Sequence, residues 1–224
     1  MDPRNHRGRT TQRGIIISPG VMLRSTLVFR DMLFAIVLTS WGGTPAMWQN
    51  GHLSTYHGCD DISAQQILAN GIDLTKGKPL TDFGQGFYTT TNLHQAKNWA
   101  NIRVRRLTRR QPTSTATIIR FELDRNLLAR RHLLCFVTEG SSISSDYWEF
   151  VRYCRKIGHS HKLSIKRAEP TTNYDLVFGL VSIWPQTLVI KDCDQISFHT
   201  DAALQTIVTR DIIAQGTPKH RYLP

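Results

Sequence analysis

The chain predicts an α+β fold, with helical stretches early and strands returning late to complete a mixed sheet. Three observations carry that expectation. "DDISAQQILANG" and "NLHQAKNWANIRVRRL" repeat apolar residues at helical spacing, each behind an Asp or Asn able to cap it. "TATIIRFELD" is a continuous run of strand-forming character. Beyond residue 173 such runs succeed one another: "YDLVFGLVSIW", "TLVIK" and "QISFHT".

Taken in order, "HLSTYHG" reads as a strand ending at Gly58, and the helix after it is capped by Asp60 or Asp61 and ended by Gly71. A Gly- and Pro-containing loop leads to the strand "FYTTT". Asn92 caps the next helix, whose apolar stripe is Leu93, Ala96, Ala100, Val104 and Leu107, before a stop at Pro112. Arg103, Arg105, Arg106, Arg109 and Arg110 fall off that stripe into solvent. "LLCFVTEG" is a further strand, "SSDYWEFVRYCRKIG" a helix capped by Ser145, and "DAALQTIVTRDII" a closing helix.

Residues 1–46 differ from the rest. A polar, basic start precedes an apolar run from Met32 to Thr39 that resembles a secretory signal set too far along the chain, and is too short to span a bilayer. A buried extra element, or a domain that opens at Met47, are the alternatives. The folded domain is expected over residues 47–210, with residues 211–224 as a tail. The setting expected for it is cytoplasmic, without stable membrane association.

Twenty-eight Lys and Arg against 17 Asp and Glu leave a net charge of +11, a surplus that attracts polyanions. Cys59, Cys135, Cys154 and Cys193 form no CxxC pair, which favours neither a zinc site nor a disulfide framework. His132, His159 and His161 lack a partnered Cys or acid at ligand spacing, so no metal is expected. "GQGFYT" lacks a third glycine and enters a strand, which excludes a dinucleotide fingerprint, and "DFG" stands without the other kinase motifs.

Three segments in order, "YHG" at Tyr56–Gly58, "GFYTTT" followed by "AKNWA" within Gly86–Ala100, and "DQISFHTDAALQTI" at Asp194–Ile207, resemble the signature of ADP-ribosyltransferases. The branch is that of diphtheria toxin and the poly(ADP-ribose) polymerases, with its His-Tyr-Glu triad. The likeness is closer to a group of small toxin-associated bacterial domains that share "YHG", "DFGxGFY" and "QISFHT", and it spans roughly residues 47–208.

The resemblance implies a split β-sandwich of two small mixed sheets with flanking helices, binding NAD+ as substrate. It implies that His57 holds the adenosine-side ribose and that the Gly58 backbone meets the nicotinamide amide. Tyr88 and Trp99 would grip the nicotinamide ring, with Phe83, Gly84, Gly86 and Thr90 lining the donor site and the loop Asp73–Asp82 covering it. Where the family has its catalytic glutamate this chain has Gln195, which can orient a ribose hydroxyl but brings no charge. A helper acid is therefore expected, Asp175 first, then Asp194 or Glu149.

The implied activity is mono-ADP-ribosylation of a protein or nucleic-acid acceptor with release of nicotinamide, in a toxin or effector that an antitoxin or immunity protein would accompany. Two other classes remain open: an inactive NAD- or ADP-ribose-binding module, and a non-enzymatic nucleic-acid-binding protein. Singly, each motif also has a structural reading. Tyr88 suits a packed strand, Trp99 a core, and the arginines a solvated helix face on which no aromatic is interleaved.

Overall fold

A computed structural model describes residues 50–137, 143–158, 161 and 173–224. The expectations for residues 1–46, and His159, lie outside those residues. Strand β1 (Leu53–Asp60) passes directly into helix α1 (Asp61–Asn70), where the Asp60 carboxylate accepts the Ser63 N–H at 2.9 Å and settles which aspartate is the cap. The loop after α1 carries a 3-10 turn at Leu74–Lys76 and leads to β2 (Phe87–Thr89). Asn92 caps α2 (Leu93–Leu107) through the Gln95 N–H at 3.1 Å. Next come β3 (Ala116–Leu123), the short α3 (Arg125–Leu128), β4 (Leu133–Cys135) and α4 (Ser145–Ile157). The cap of α4 is Ser144, one residue before the one expected, and Gly158 ends the helix at a φ of 81°.

The chain closes with β5 (Leu176–Ile183), β6 (Leu188–Phe198), α5 (Asp201–Leu204) and β7 (Ile207–Gln215). Two expectations are corrected here. "TLVIK" and "QISF" are one long strand, β6, which keeps pairing with β5 across a register shift near Leu180. The closing helix stops after Leu204, because Ile207, Val208, Thr209, Ile212 and Ile213 are β-branched and extend along β3 instead. The structured part therefore runs past residue 210. Beyond β7 the chain turns back onto the fold: the Arg221 carbonyl takes the Ala116 N–H at 2.8 Å and Leu223 N–H bonds Asn101 at 2.8 Å.

The seven strands among the described residues form two sheets. One is antiparallel, in the order β1-β3-β7; the other, β2-β6-β5-β4, is mixed through its parallel β4–β5 pair. A bridge between Tyr56 and Thr90 ties them together where β1 passes β2. Strand period decides what each layer buries. Ile119, Phe121 and Leu123 of β3 meet Leu176, Ile196 and Phe198 between the sheets, while Ala116 and Ile118 meet Ala96, Ala100 and Val104 of α2. On the far side of the mixed sheet, Tyr147, Phe150, Val151 and Cys154 of α4 pack with Phe83 and Val177.

Candidate functional site

Where β1 and β2 part, a cavity of about 480 Å³ opens between α2, the loop ahead of β2 and the Ser182 end of β5. His57 reaches it from β1, Tyr88 from β2 and Gln195 from β6. Gly58, Thr90 and Trp99 line it as well. Asp175 is not brought there. Neither are Phe83, Gly84 and Gly86, whose side chains and backbone stand behind the wall.

His57 Nδ1 donates to the Tyr88 carbonyl at 2.7 Å, which leaves Nε2 as an acceptor. Burial lowers the pKa of this histidine, the Tyr88 carbonyl opposing it in part, so the ring is neutral at physiological pH. The ring lies on Phe87, with centroids 4.5 Å apart. One residue on, Gly58 is required by close approach: a Cβ there would sit 2.0 Å from the Ala96 carbonyl oxygen of α2. Tyr56 uses its N–H and C=O on Thr90, away from β3. Alternation along an antiparallel strand directs the N–H and C=O of Gly58 to the same open edge, into the cavity wall.

The phenol of Tyr88 is fastened from behind. Its oxygen accepts the Phe83 N–H at 3.1 Å, donates to the Gly84 carbonyl at 2.7 Å and lies 2.7 Å from Thr81 Oγ1. Burial raises its pKa, so the ring stays a neutral phenol. Gly84, at a φ of 81°, makes the turn that brings those groups round the hydroxyl. Phe83 is fully buried against Tyr147, Phe136 and Phe150, a core position worth about 3–5 kcal/mol against alanine. These residues of the "DFGxGFY" segment hold Tyr88 in place from outside the cavity.

Gln195 is 8% exposed, and both its amide hydrogens are used. Nε2 donates to Asp82 Oδ2 at 2.8 Å and to the Leu180 carbonyl at 2.7 Å. Two acceptors on one side fix the amide orientation, and Oε1 is left as the acceptor at the cavity wall. Asp82 is not among the expected acids. It is 3% exposed and accepts on both oxygens: Oδ1 from Arg155 Nη2 at 2.6 Å, Arg155 Nε at 3.0 Å and the Ser182 hydroxyl, Oδ2 from the Ser182 N–H at 2.8 Å and Gln195. Asp82 is the cavity's acid, and the sequence carries no local signal for it, since its partners lie 73, 100 and 113 residues away.

The three expected helper acids have other work. Asp175 takes the His132 N–H at 2.9 Å and the Thr200 hydroxyl, fastening loops at the opposite end of β5. Asp194 takes the Thr91 N–H at 2.9 Å together with the hydroxyls of Thr90 and Thr91, and so locks β2 to β6 at the start of α2. Glu149 is on α4, off the cavity.

Tyr56, Ala96, Ile102, Leu107 and Val181 make much of the rest of the wall apolar, and four cations stand on it: Lys78, Arg103, Arg106 and Arg155. Arg103 is paired with Asp60 at 2.7 Å. Burial raises the Asp60 carboxyl, but the bonds from Arg103 and Ser63 outweigh it and hold the pKa below the usual carboxylate value. The loop expected to cover the site supplies Lys78, Thr81 and Asp82. Trp99 stands at the outer rim, 40% exposed, and borders a second cavity of about 340 Å³. The four cysteines are free thiols, Cys59 and Cys154 buried with pKa values pushed up to about 12 by burial. His161, inside the fold, bonds the Phe83 carbonyl at 2.7 Å, and among the described residues no cluster of His, Cys, Asp and Glu is placed to hold a metal. No described helix is long and apolar enough to cross a membrane.

No curated protein and no solved structure matches the chain. Residues 53–183, more than half of its length, match the family described as "Protein of unknown function (DUF3990)". That match spans β1 through β5, with His57, Asp82 and Tyr88 inside it and Gln195 beyond it, and the chain belongs to the DUF3990 family.

Proposed function

We propose that the protein transfers ADP-ribose from NAD+ to a macromolecular acceptor and releases nicotinamide. The observation that carries this reading is the meeting of His57, Tyr88 and Gln195, from three strands, on one cavity whose wall is largely apolar and also carries four cations. In the proposed step the bond between C1′ of the nicotinamide ribose and the ring nitrogen breaks, and its electron pair leaves with neutral nicotinamide. The acceptor's nucleophile then forms the new bond to C1′ and gives up its proton.

The residues have fitting chemistry for each part. The Tyr88 ring offers a flat apolar face to nicotinamide, and the backbone edge of Gly58 offers one donor and one acceptor to its amide. Nε2 of His57 accepts a hydroxyl of the far ribose, while Lys78 and Arg106 suit the pyrophosphate. Oε1 of Gln195 accepts a hydroxyl of the reacting ribose, and Asp82, through the Gln195 amide, keeps that oxygen turned inward. Asp82 thus replaces Asp175 as the acid behind Gln195.

The test is incubation with adenylate-labelled NAD+ and a cell lysate, following free nicotinamide and macromolecular label. Both are expected, and both should be lost in His57→Ala and in Tyr88→Ala. A protein that releases no nicotinamide and whose melting temperature ignores NAD+ overturns the reading. One observation favours a second reading, a module that binds NAD+ without turning it over: both carboxylate oxygens of Asp82 are already occupied by protein donors. Its signature is a melting temperature raised by NAD+ with no nicotinamide released.

A further inference from the structure

Read as a line of residues, the arginines of α2 have no aromatic among them; folded, they do. Trp99, Arg103 and Arg106 follow one another at helical spacings of four and three, along one ridge of the helix. Arg109 and Arg110 extend it on the turn that closes α2. Residues 93–110 contain no acid, and the Asp60 carboxylate beside the ridge is already paired with Arg103. Arg106, Arg109 and Arg110 carry no ion pair among the described residues.

The ridge starts at the second cavity. Gln95, Trp99 and Ile102 are shared by both cavities, so the second opens beside the first along α2. Its own lining adds Ile190, the exposed side chains of Asn98 and His94, and Lys191, with Asp192 as its acid. The combination is an aromatic plane, an apolar floor, an exposed amide and a track of cations leading away. Stacking on an aromatic plane and tracking of phosphates by cations is the chemistry of single-stranded nucleic acid. An acidic peptide uses the cations but leaves Trp99 and the cavity beside it without a purpose.

We propose that the acceptor is single-stranded nucleic acid, laid along α2 with a base stacked on Trp99 in the second cavity, next to the donor. This rests on the donor reading above and names the substrate class of that site. The reaction is the one already written, with a nucleophilic oxygen or nitrogen of the nucleotide forming the bond to C1′ and losing its proton.

The experiment uses the full chain and a mixed-sequence single-stranded RNA and DNA 15-mer, without and then with labelled NAD+. Binding is followed by anisotropy across a salt titration. Two variants sit off the donor cavity: Arg109→Glu with Arg110→Glu, and Ile190→Glu in the second cavity. Each is expected to weaken oligonucleotide binding about tenfold or more at 0.1 M salt, and the arginine pair to flatten the log–log salt slope by about 1.4. Label transfer to the oligonucleotide should fall with binding, while nicotinamide release in the absence of acceptor stays as in the parent protein.

Three outcomes overturn the proposal. One is an affinity for the 15-mer that the variants leave unchanged. Another is label that enters protein alone while nicotinamide is released, which removes the nucleic-acid acceptor and keeps the donor reading. The third is intact oligonucleotide binding with no nicotinamide released under any condition, which removes the donor reading and the acceptor role with it.

Discussion

The two ends of β5 each hold an aspartate in a knot of hydrogen bonds, and the two knots are different in kind. At the start of the strand, Asp175 takes one backbone N–H and one hydroxyl, both from neutral groups of loops. At the other end, Asp82 reaches in from its loop and takes a guanidinium, a hydroxyl, a backbone N–H and the amide of Gln195. Seven steps along the chain, about 23 Å at strand rise, take it from Asp175 to Ser182. The first knot closes loops. The second closes a cavity wall, so an acid's role follows from which groups converge on it, and residue type, the same for both, does not decide it.

Removing each charge in turn is the strongest way to break that comparison. In Asp82→Asn the amide NH2 must face Arg155 and Ser182 Oγ or else the Ser182 N–H and Gln195, where only the hydroxyl, or a Gln195 amide turned over to present Oε1, can accept. Breaking a buried pair costs about 3–5 kcal/mol, and because the Arg155 side chain is 26% exposed a loss of about 2 kcal/mol is expected here. Thermal unfolding should show it as a midpoint lower by about 5 °C. Nicotinamide release should drop by about 10²-fold as Gln195 loses its orientation. Asp175→Asn should cost under about 1 kcal/mol and change turnover no more than about twofold. Equal effects from the two variants would erase the distinction between the ends.

Gln195→Glu sharpens the same contrast. From the sequence, the glutamate that the resemblance to ADP-ribosyltransferases implies at this position suggests a gain of activity. The surroundings argue the reverse, because a carboxylate there would face Asp82 Oδ2 and the Leu180 carbonyl where Gln195 now donates at 2.8 and 2.7 Å. Two carboxylates at that range raise each other's pKa, and the site loses both donors. Stability should fall by about 2 kcal/mol, with turnover below the parent level. Adding Asp82→Asn supplies a donor toward the introduced carboxylate, and a double-mutant cycle should then show the pair recovering part of the loss. Full activity in Gln195→Glu alone would mean that Asp82 does not govern this side chain.

Much of the fold was legible because it rests on local rules. The caps at Asp60 and Asn92, the glycine stops at Gly71 and Gly158, and the two-residue period of β3 are readable from the residues themselves. The end of the chain was not, because "DAAL" starts a helix and the β-branched run after it can only be recognised as a strand once β3 is available as a partner. The same division holds for the cavity. Tyr56–Gly58 and Tyr88 sit within strands β1 and β2 that motif spacing marks, β1 running on to Asp60 past the expected end at Gly58, whereas Asp82 acquires its meaning from Arg155, Ser182 and Gln195, which only the tertiary fold brings to it. Phe83 and Gly84 stand one layer behind their expected place, since spacing along the chain does not separate a ligand contact from the packing that holds one.

The Asp175 end also carries a pair of histidine rings, His199 and His161, packed edge to face. His199 donates its backbone N–H to the Asp175 carbonyl at 2.9 Å, and its ring bonds the Gln85 carbonyl at 2.9 Å and Ser197 Oγ at 2.7 Å. The His161 ring stands 4.2 Å away. Burial, then the neighbouring His161, depresses the His199 pKa to about 3, and burial lowers that of His161 as well. A histidine with a folded pKa below its unfolded value of about 6.5 binds more protons when unfolded, so its contribution is complete above pH 6.5 and is lost as the pH falls toward the folded value. Each such histidine removes at most about 1.4 kcal/mol per pH unit in that window. Denaturant unfolding of the parent between pH 7 and 4.5 should therefore show a steepening loss, which His199→Gln reduces by up to about one proton per molecule. A slope that His199→Gln leaves unchanged would put the acid-sensitive element elsewhere in the fold.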